Sequence, residues 1–144
     1  MGGRLQISNA AFTDNTVTTY SGGGMFVVDG TQATLANSRV SGNQATSTPG
    51  PTLGGGILLE SAEFTITRSR MSGNSTPDGG GGPAVYESTG VLTLDSAARI
   101  LNNTTVTIPR GEILLTGGGN VNLNGATLDG NIPDNVRTNQ ILLG

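Results

Sequence analysis

Apolar and polar residues alternate along this chain in short bursts, and the bursts recur. Aligned on a closing asparagine, one apolar column reads Leu5, Ala33, Phe64, Leu92 and Val121; a second, two residues on, reads Ile7, Leu35, Ile66, Leu94 and Leu123. Polar Gln6, Thr34, Thr65, Thr93 and Asn122 stand between them. A period of two predicts a strand with one buried face. A following segment carries a small column, Ala10, Ser38, Ser69, Ala98 and Ala126, then a large apolar one, Phe12, Val40, Met71, Ile100 and Leu128. Outward between these stand Ala11, Arg39, Arg70, Arg99 and Thr127. A third segment is apolar throughout and follows a glycine-rich turn: Phe26-Val27-Val28, Ile57-Leu58-Leu59, Ala84-Val85-Tyr86, Ile113-Leu114-Leu115 and finally Ile141-Leu142-Leu143.

The units close at Asn15, Asn43, Asn74, Asn103 and Asn131, a period of about thirty residues that marks stacked arrays. Three short strands bury no inner face by themselves. Wound into a coil, equivalent residues of successive turns lie ~4.8 Å apart in parallel ladders, and like stacks on like. The expectation is an all-β parallel β-helix, one domain over residues 1–144, of about five coils with three strands each. A propeller needs four strands and about forty residues per repeat, and a leucine-rich repeat needs its own Leu/Asn spacing with a helix.

Composition narrows the chemistry. The chain has 144 residues with 24 glycines, no Cys, no His and no Trp, and aromatics make up 3%. The glycines fall at fixed places in the repeat, which argues for turns rather than disorder. Without Cys and His there are no disulfides, no thiolate or imidazole metal sites, and none of the commonest general base. Seven basic residues against ten acidic ones give a net charge of −3 with no basic run, which speaks against a nucleic-acid partner. No apolar run approaches the ~18 residues of a transmembrane helix. The connections after each asparagine vary and collect Pro51, Pro77, Pro109 and Pro133, so this edge tolerates variation.

A glycine turn leading into a strand (Gly23-Gly24-Met25, Gly55-Gly56-Ile57) is paired with a turn of the form Phe12-Thr13-Asp14-Asn15, repeated at Val40 to Asn43, Met71 to Asn74, Ile100 to Asn103 and Leu128 to Asn131. This pairing resembles the GGAI and FxxN repeats of bacterial polymorphic outer-membrane proteins, and more broadly bacterial right-handed parallel β-helix repeat proteins. The resemblance implies a right-handed coil and an exported, surface-displayed module with a structural or adhesive role. The protein is then extracellular or cell-surface, with its export signal outside this chain.

Four sets of residues carry candidate chemistry. The asparagines Asn15, Asn43, Asn74, Asn103 and Asn131 suit a coil corner, where stacked amides hydrogen-bond along the ladder. Asp29, Glu60 and Glu87 follow the apolar strand in three units. Stacked, they would repel by ~1 kcal/mol per adjacent pair unless splayed into solvent or offset by a hard cation such as calcium. No other cofactor is indicated. Pectate-lyase-type β-helices resemble this arrangement in using stacked acids for calcium with an arginine as base. Arg39, Arg70 and Arg99 form a matching column that either lies over the strand surface or binds an anion such as an acidic polysaccharide. With only Tyr20 and Tyr86 as further aromatic platforms besides three Phe, and no concentrated acid–base set, catalysis is not expected.

The fourth set is apolar. If the outer two residues of each apolar strand face inward, Val27, Leu58, Val85, Leu114 and Leu142 form an exposed stripe, the pattern of an interface. Ile141-Leu142-Leu143 matches the opening strand of a coil and nothing more, so the chain is expected to hold a whole number of turns. Such a chain either adds head to tail into a filament or continues a longer β-helix.

Overall fold

The computed structural model describes residues 2–18, 22–46, 53–77, 85–87, 89–105, 113–115, 119–132, 136–137 and 141–142. Every regular element among them is a strand, every strand pairing is parallel, and the strands stack into four sheets that are four to six strands deep. One coil shows the rule. Gln32–Ala36 lies in the first sheet, Arg39–Ser41 in the second, Gln44–Ala45 in the third and Ile57–Glu60 in the fourth. The next coil enters the first sheet again at Ala62–Thr67, directly beside Gln32–Ala36.

The alternating columns of the sequence are the ladders of the first two sheets. Leu5, Ala33, Phe64, Leu92 and Val121 pair in succession, and Ile7, Leu35, Ile66 and Leu94 do so two residues on. In the second sheet Phe12, Val40, Met71, Ile100 and Leu128 are in register. Leu35, Phe64, Ile66, Met71, Leu92, Leu94 and Ile100 are fully buried. A single hydrophobic cluster, with Phe12, Leu123 and Leu128 packed partly buried against it, fills the coil interior.

Each coil has four strands, not the expected three. After the closing asparagine the chain stays extended for two residues, at Thr16–Val17, Gln44–Ala45, Ser75–Thr76 and Thr104–Thr105. The second residue of each pair is small or β-branched, and Ala45, Thr76 and Thr105 are buried. Two residues are too few to display a period, which hid this sheet among the variable connections.

The corners have a backbone reason. The ladder asparagines themselves do not take the left-handed conformation; the residue before each one does, and it is Asp or Asn in two units and glycine in three. These are Asp14, Gly42, Gly73, Asn102 and Gly130. At the corner between the first and second sheets the left-handed residues are Asn9, Asn37, Arg68 and Asn124. Short polar side chains and glycine tolerate this region; arginine rarely occupies it. Gly54, at φ 62°, admits no side chain at all, because a Cβ there would overlap the Ile57 carbonyl oxygen.

One expectation about the final strand is corrected. Ile141–Leu142 pairs with Asn120–Asn122 in the first sheet, with Val121 opposite Ile141 and Asn122 opposite Leu142. The fourth-sheet partner of Ile113–Leu115 is instead Val136–Arg137. Ile141 and Leu142 therefore do not extend the apolar column of the fourth sheet, and they do not match the opening strand of a coil. Leu143 lies outside the described residues.

Candidate functional site

The arginine column is assembled by the second sheet. Arg39 pairs with Arg70 and Arg70 with Arg99, so the three guanidinium-bearing positions follow one another along the coil axis on exposed, outward sites. A fourth arginine joins them from the corner. Arg68 sits at φ 45°, a corner position filled by Asn9 and Asn37 in the preceding coils. Together these side chains line an open groove of about 630 Å³ whose floor is alanine and serine.

Hydrogen bonds from these arginines stay local. Arg70 Nε donates to Ser72 Oγ at 3.3 Å, and Arg99 Nη1 donates to the carbonyls of Ser96 and Ala98, both at 3.2 Å. The nearby acid, Asp95, is occupied by the backbone. Its carboxylate accepts the N–H of Arg68 at 3.0 and 3.2 Å and that of Ala97 at 3.2 Å. The second-sheet corner carries an extra residue in that coil, and the carboxylate supplies the acceptor for Arg68 N–H. In the preceding coils the Ala36 and Thr67 carbonyls take the equivalent N–H groups of Asn9 and Asn37.

The acidic column does not form. Glu60 pairs with Val28, one residue before Asp29, and Glu87 pairs with Leu59, one residue before Glu60. Each acid is slipped by one position against the next, and a one-residue slip reverses the face of the sheet. The stacked register that would let a cation bridge Asp29, Glu60 and Glu87 is therefore not the register of the backbone. These acids also belong to the fourth-sheet side of the coil, while the arginines stand on the second sheet. Among the described residues, no group of three or more acids is placed to hold a metal ion.

The apolar stripe is likewise re-sorted by register. Met25, Ile57, Val85 and Ile113 form one column, and Phe26, Leu58, Tyr86 and Leu114 the next. Val27 and Val85 face the core, at 4% and 0% exposure, so neither belongs to an outer stripe. Leu58 is on the outward column yet only 4% exposed. The backbone at Gly22 passes close enough that a Cβ there would lie 3.3 Å from the Leu58 Cβ. Phe26, beside it, is 55% exposed. Leu114 pairs with Tyr86 in the same register column.

The asparagines form a continuous ladder inside the corner. Asn15 Nδ2 donates to Asn43 Oδ1 at 2.9 Å, Asn43 to Asn74 at 3.0 Å, Asn74 to Asn103 at 2.8 Å and Asn103 to Asn131 at 3.1 Å. Each accepting oxygen also takes the backbone N–H of the preceding asparagine, at 2.9 to 3.1 Å. The second amide proton goes back to a carbonyl of the previous coil, that of Phe12, Val40, Met71 or Ile100. Asn43, Asn74 and Asn103 are fully buried. Such amides hold the coil together and have no donor or acceptor left for a ligand.

The family of right-handed β-helix regions matches residues 2–137, which takes in every strand of the four parallel sheets but Ile141–Leu142. This chain belongs to the right-handed β-helix family. No curated protein and no solved structure matches it. Within this β-helix the sequence columns located Arg39, Arg70 and Arg99, and they missed Arg68. The signal was present: a corner column of Asn9 and Asn37 is interrupted by one arginine. No helix among the described residues is long and apolar enough to cross a membrane.

Proposed function

We propose that this β-helix is a structural module of an extracellular or cell-surface protein, a stiff rod that displays side chains at fixed spacing and carries no catalysis of its own. The observation that supports this reading most is the asparagine ladder, which runs from Asn15 to Asn131 without a break. Each coil bonds to its neighbours through identical, fully satisfied contacts, so rigidity along the axis is the property the sequence repeats most strictly. The distribution of acids supports the non-enzymatic part. Hydrolysis of a glycosidic bond uses two carboxylates about 5 to 9.5 Å apart across one bond, and here Glu60 and Glu87 sit in slipped register while Asp95 is tied to backbone N–H groups.

The test has two arms. Incubation with a panel of neutral and acidic polysaccharides should release no reducing ends and no unsaturated, ultraviolet-absorbing products; turnover of any one of them would overturn the non-enzymatic reading. Antibody labelling of intact source cells should find the protein outside the membrane. Labelling only after permeabilisation would overturn the surface assignment.

A further inference from the structure

We propose that Asn124 is a self-modifying residue: the backbone nitrogen of Gly125 closes on the Asn124 side-chain amide, ammonia leaves, and the imide so formed opens to aspartate and isoaspartate. The site lies on the corner between the first and second sheets, apart from the asparagine ladder, and it needs water but no partner protein.

The chain holds one Asn-Gly pair, Asn124-Gly125, and both residues are exposed. Ring closure requires the following backbone to approach the side chain, and glycine has no Cβ in the way. It also requires an amide nitrogen that is not held elsewhere, since a bonded N–H has first to be released. Other exposed asparagines do not meet both conditions. The nitrogen after Asn9 donates to Ser38 Oγ at 3.1 Å, that after Asn37 to Ser69 Oγ at 3.0 Å and that after Asn102 to Asn131 Oδ1 at 3.1 Å, while Asn15 is followed by the β-branched Thr16. Gly30, which follows Asp29, donates to the Ser61 carbonyl at 2.7 Å. Counting back from the in-register Phe12, Val40, Met71 and Leu128, Gly125 stands where Asn9, Asn37 and Arg68 stand. The N–H groups of those three go to the Ala36 carbonyl, the Thr67 carbonyl and the Asp95 carboxylate. That of Gly125 has no partner among the described residues.

The turn itself keeps that nitrogen out of its bonding. Asn124 and Gly125 are both left-handed, at φ 44° and 75°, and the turn closes through the Ala126 N–H onto the Leu123 carbonyl at 2.8 Å, passing over Gly125. The Asn124 amide is held at the corner by its Nδ2, which donates to the Leu94 carbonyl of the preceding coil at 2.9 Å. Having given its proton to a solvent base, the Gly125 nitrogen bonds to Asn124 Cγ; the Cγ–Nδ2 bond breaks, and Nδ2 takes a proton from water and leaves as ammonia. Water then opens the ring. Breaking the new bond at Cγ gives aspartate, and breaking the original peptide bond gives isoaspartate, in which the main chain runs through Cγ. No oxidant or reductant takes part. Either product carries one more negative charge and has no donor for the Leu94 carbonyl, and isoaspartate also lengthens the turn by a carbon, so the corner loosens from the coil before it.

The folded full chain would be incubated in mildly alkaline buffer and sampled over weeks, with each asparagine followed by peptide mass spectrometry that separates aspartate from isoaspartate. Asn124 should convert first, ahead of Asn9, Asn37 and Asn102, and should yield both products. Gly125→Ala should slow the conversion on the order of tenfold, because a Cβ then hinders ring closure. The corner has room for it, since the nearest atom to such a Cβ is the Ser96 Cβ at 3.7 Å; circular dichroism reports whether the variant is folded. The site ranking and the pair of products are read on the unaltered chain and do not depend on that variant. Converted protein, separated by its extra negative charge, should exchange the Ala126 N–H faster than the unconverted chain. Asn124 is not such a site if it keeps its amide while Asn9 or Asn37 converts, if aspartate forms without isoaspartate, or if folded Gly125→Ala converts as fast as wild type. Unchanged exchange at Ala126 would overturn the loosening of the corner.

Discussion

Asn74 and Asn103 are joined twice, because the Asn103 Oδ1 accepts both the side-chain Nδ2–H of Asn74 at 2.8 Å and its backbone N–H at 2.9 Å. Both residues are fully buried, so neither atom has water to fall back on. Asn74→Asp would remove both side-chain donors and set a carboxylate against the Val40 carbonyl and the Asn103 oxygen. We expect a loss of at least about 3 kcal/mol, the cost of an uncompensated buried charge. Asn15→Asp, at the exposed end of the ladder, should cost clearly less. Urea denaturation of the two variants compares them directly, and equal losses would show that the ladder is not cooperative with burial.

Thr76 presents the opposite case. Its side chain is fully buried with its hydroxyl oxygen lacking any hydrogen-bond partner. The neighbouring Thr105 hydroxyl bonds the Thr76 backbone carbonyl at 3.2 Å, a contact that a change of the Thr76 side chain leaves in place. Thr76→Val keeps the shape and removes the unpaired group. A gain of about 1 kcal/mol is expected from the recovered desolvation, read as a raised denaturation midpoint.

Two glycines of similar backbone conformation should respond differently to alanine. Gly54 and Gly73 have φ of 62° and 64°. A Cβ at Gly73 would find its nearest atom, the Gly42 nitrogen, 3.9 Å away, whereas one at Gly54 would overlap the Ile57 carbonyl. Gly73→Ala should therefore cost only the conformational strain, about 1 kcal/mol. Gly54→Ala should cost several times more and lower the melting temperature correspondingly.

The slipped acids make a prediction about calcium. With Glu60 beside Val28 and Glu87 beside Leu59, millimolar calcium has no stacked carboxylates to bridge. The melting temperature should not move on adding calcium, and Glu60→Gln should melt as wild type in its presence and absence. A calcium-dependent rise that disappears in Glu60→Gln would reinstate a site there.

The parts of this fold that could be read from the chain are those where the period speaks for itself. Leu35 and Ile66 were placed correctly because polar Thr34 and Thr65 on one side of each make the alternation unambiguous, and the register follows from it. Gln44–Ala45 and its equivalents were invisible as strands, since two residues carry no alternation. The fourth sheet failed differently. Its strands follow connections of unequal length and are apolar throughout, so alternation does not fix their register, and matching them by their ends aligns Asp29, Glu60 and Glu87 in one column and Val27 with Leu58. Pairing of Met25 with Ile57 and of Ile57 with Val85 shifts both sets by one. The arginines escaped this error because only a few tightly turned residues separate Arg39, Arg70 and Arg99 from their asparagines. Arg68 was overlooked because a corner residue outside the strands belongs to no alternating column.

The ladder from Asn15 to Asn131 also bears on how such a chain changes over generations. Asn43, Asn74 and Asn103 each give to one asparagine and take from another. A gene segment running from one asparagine codon to the next can therefore be duplicated or deleted, and the amides on either side of the junction still meet a matching partner. The loops between the third and fourth sheets travel with the segment whatever their length. Rod length is then open to recombination between near-identical repeats, without any new contact having to be invented at the seam.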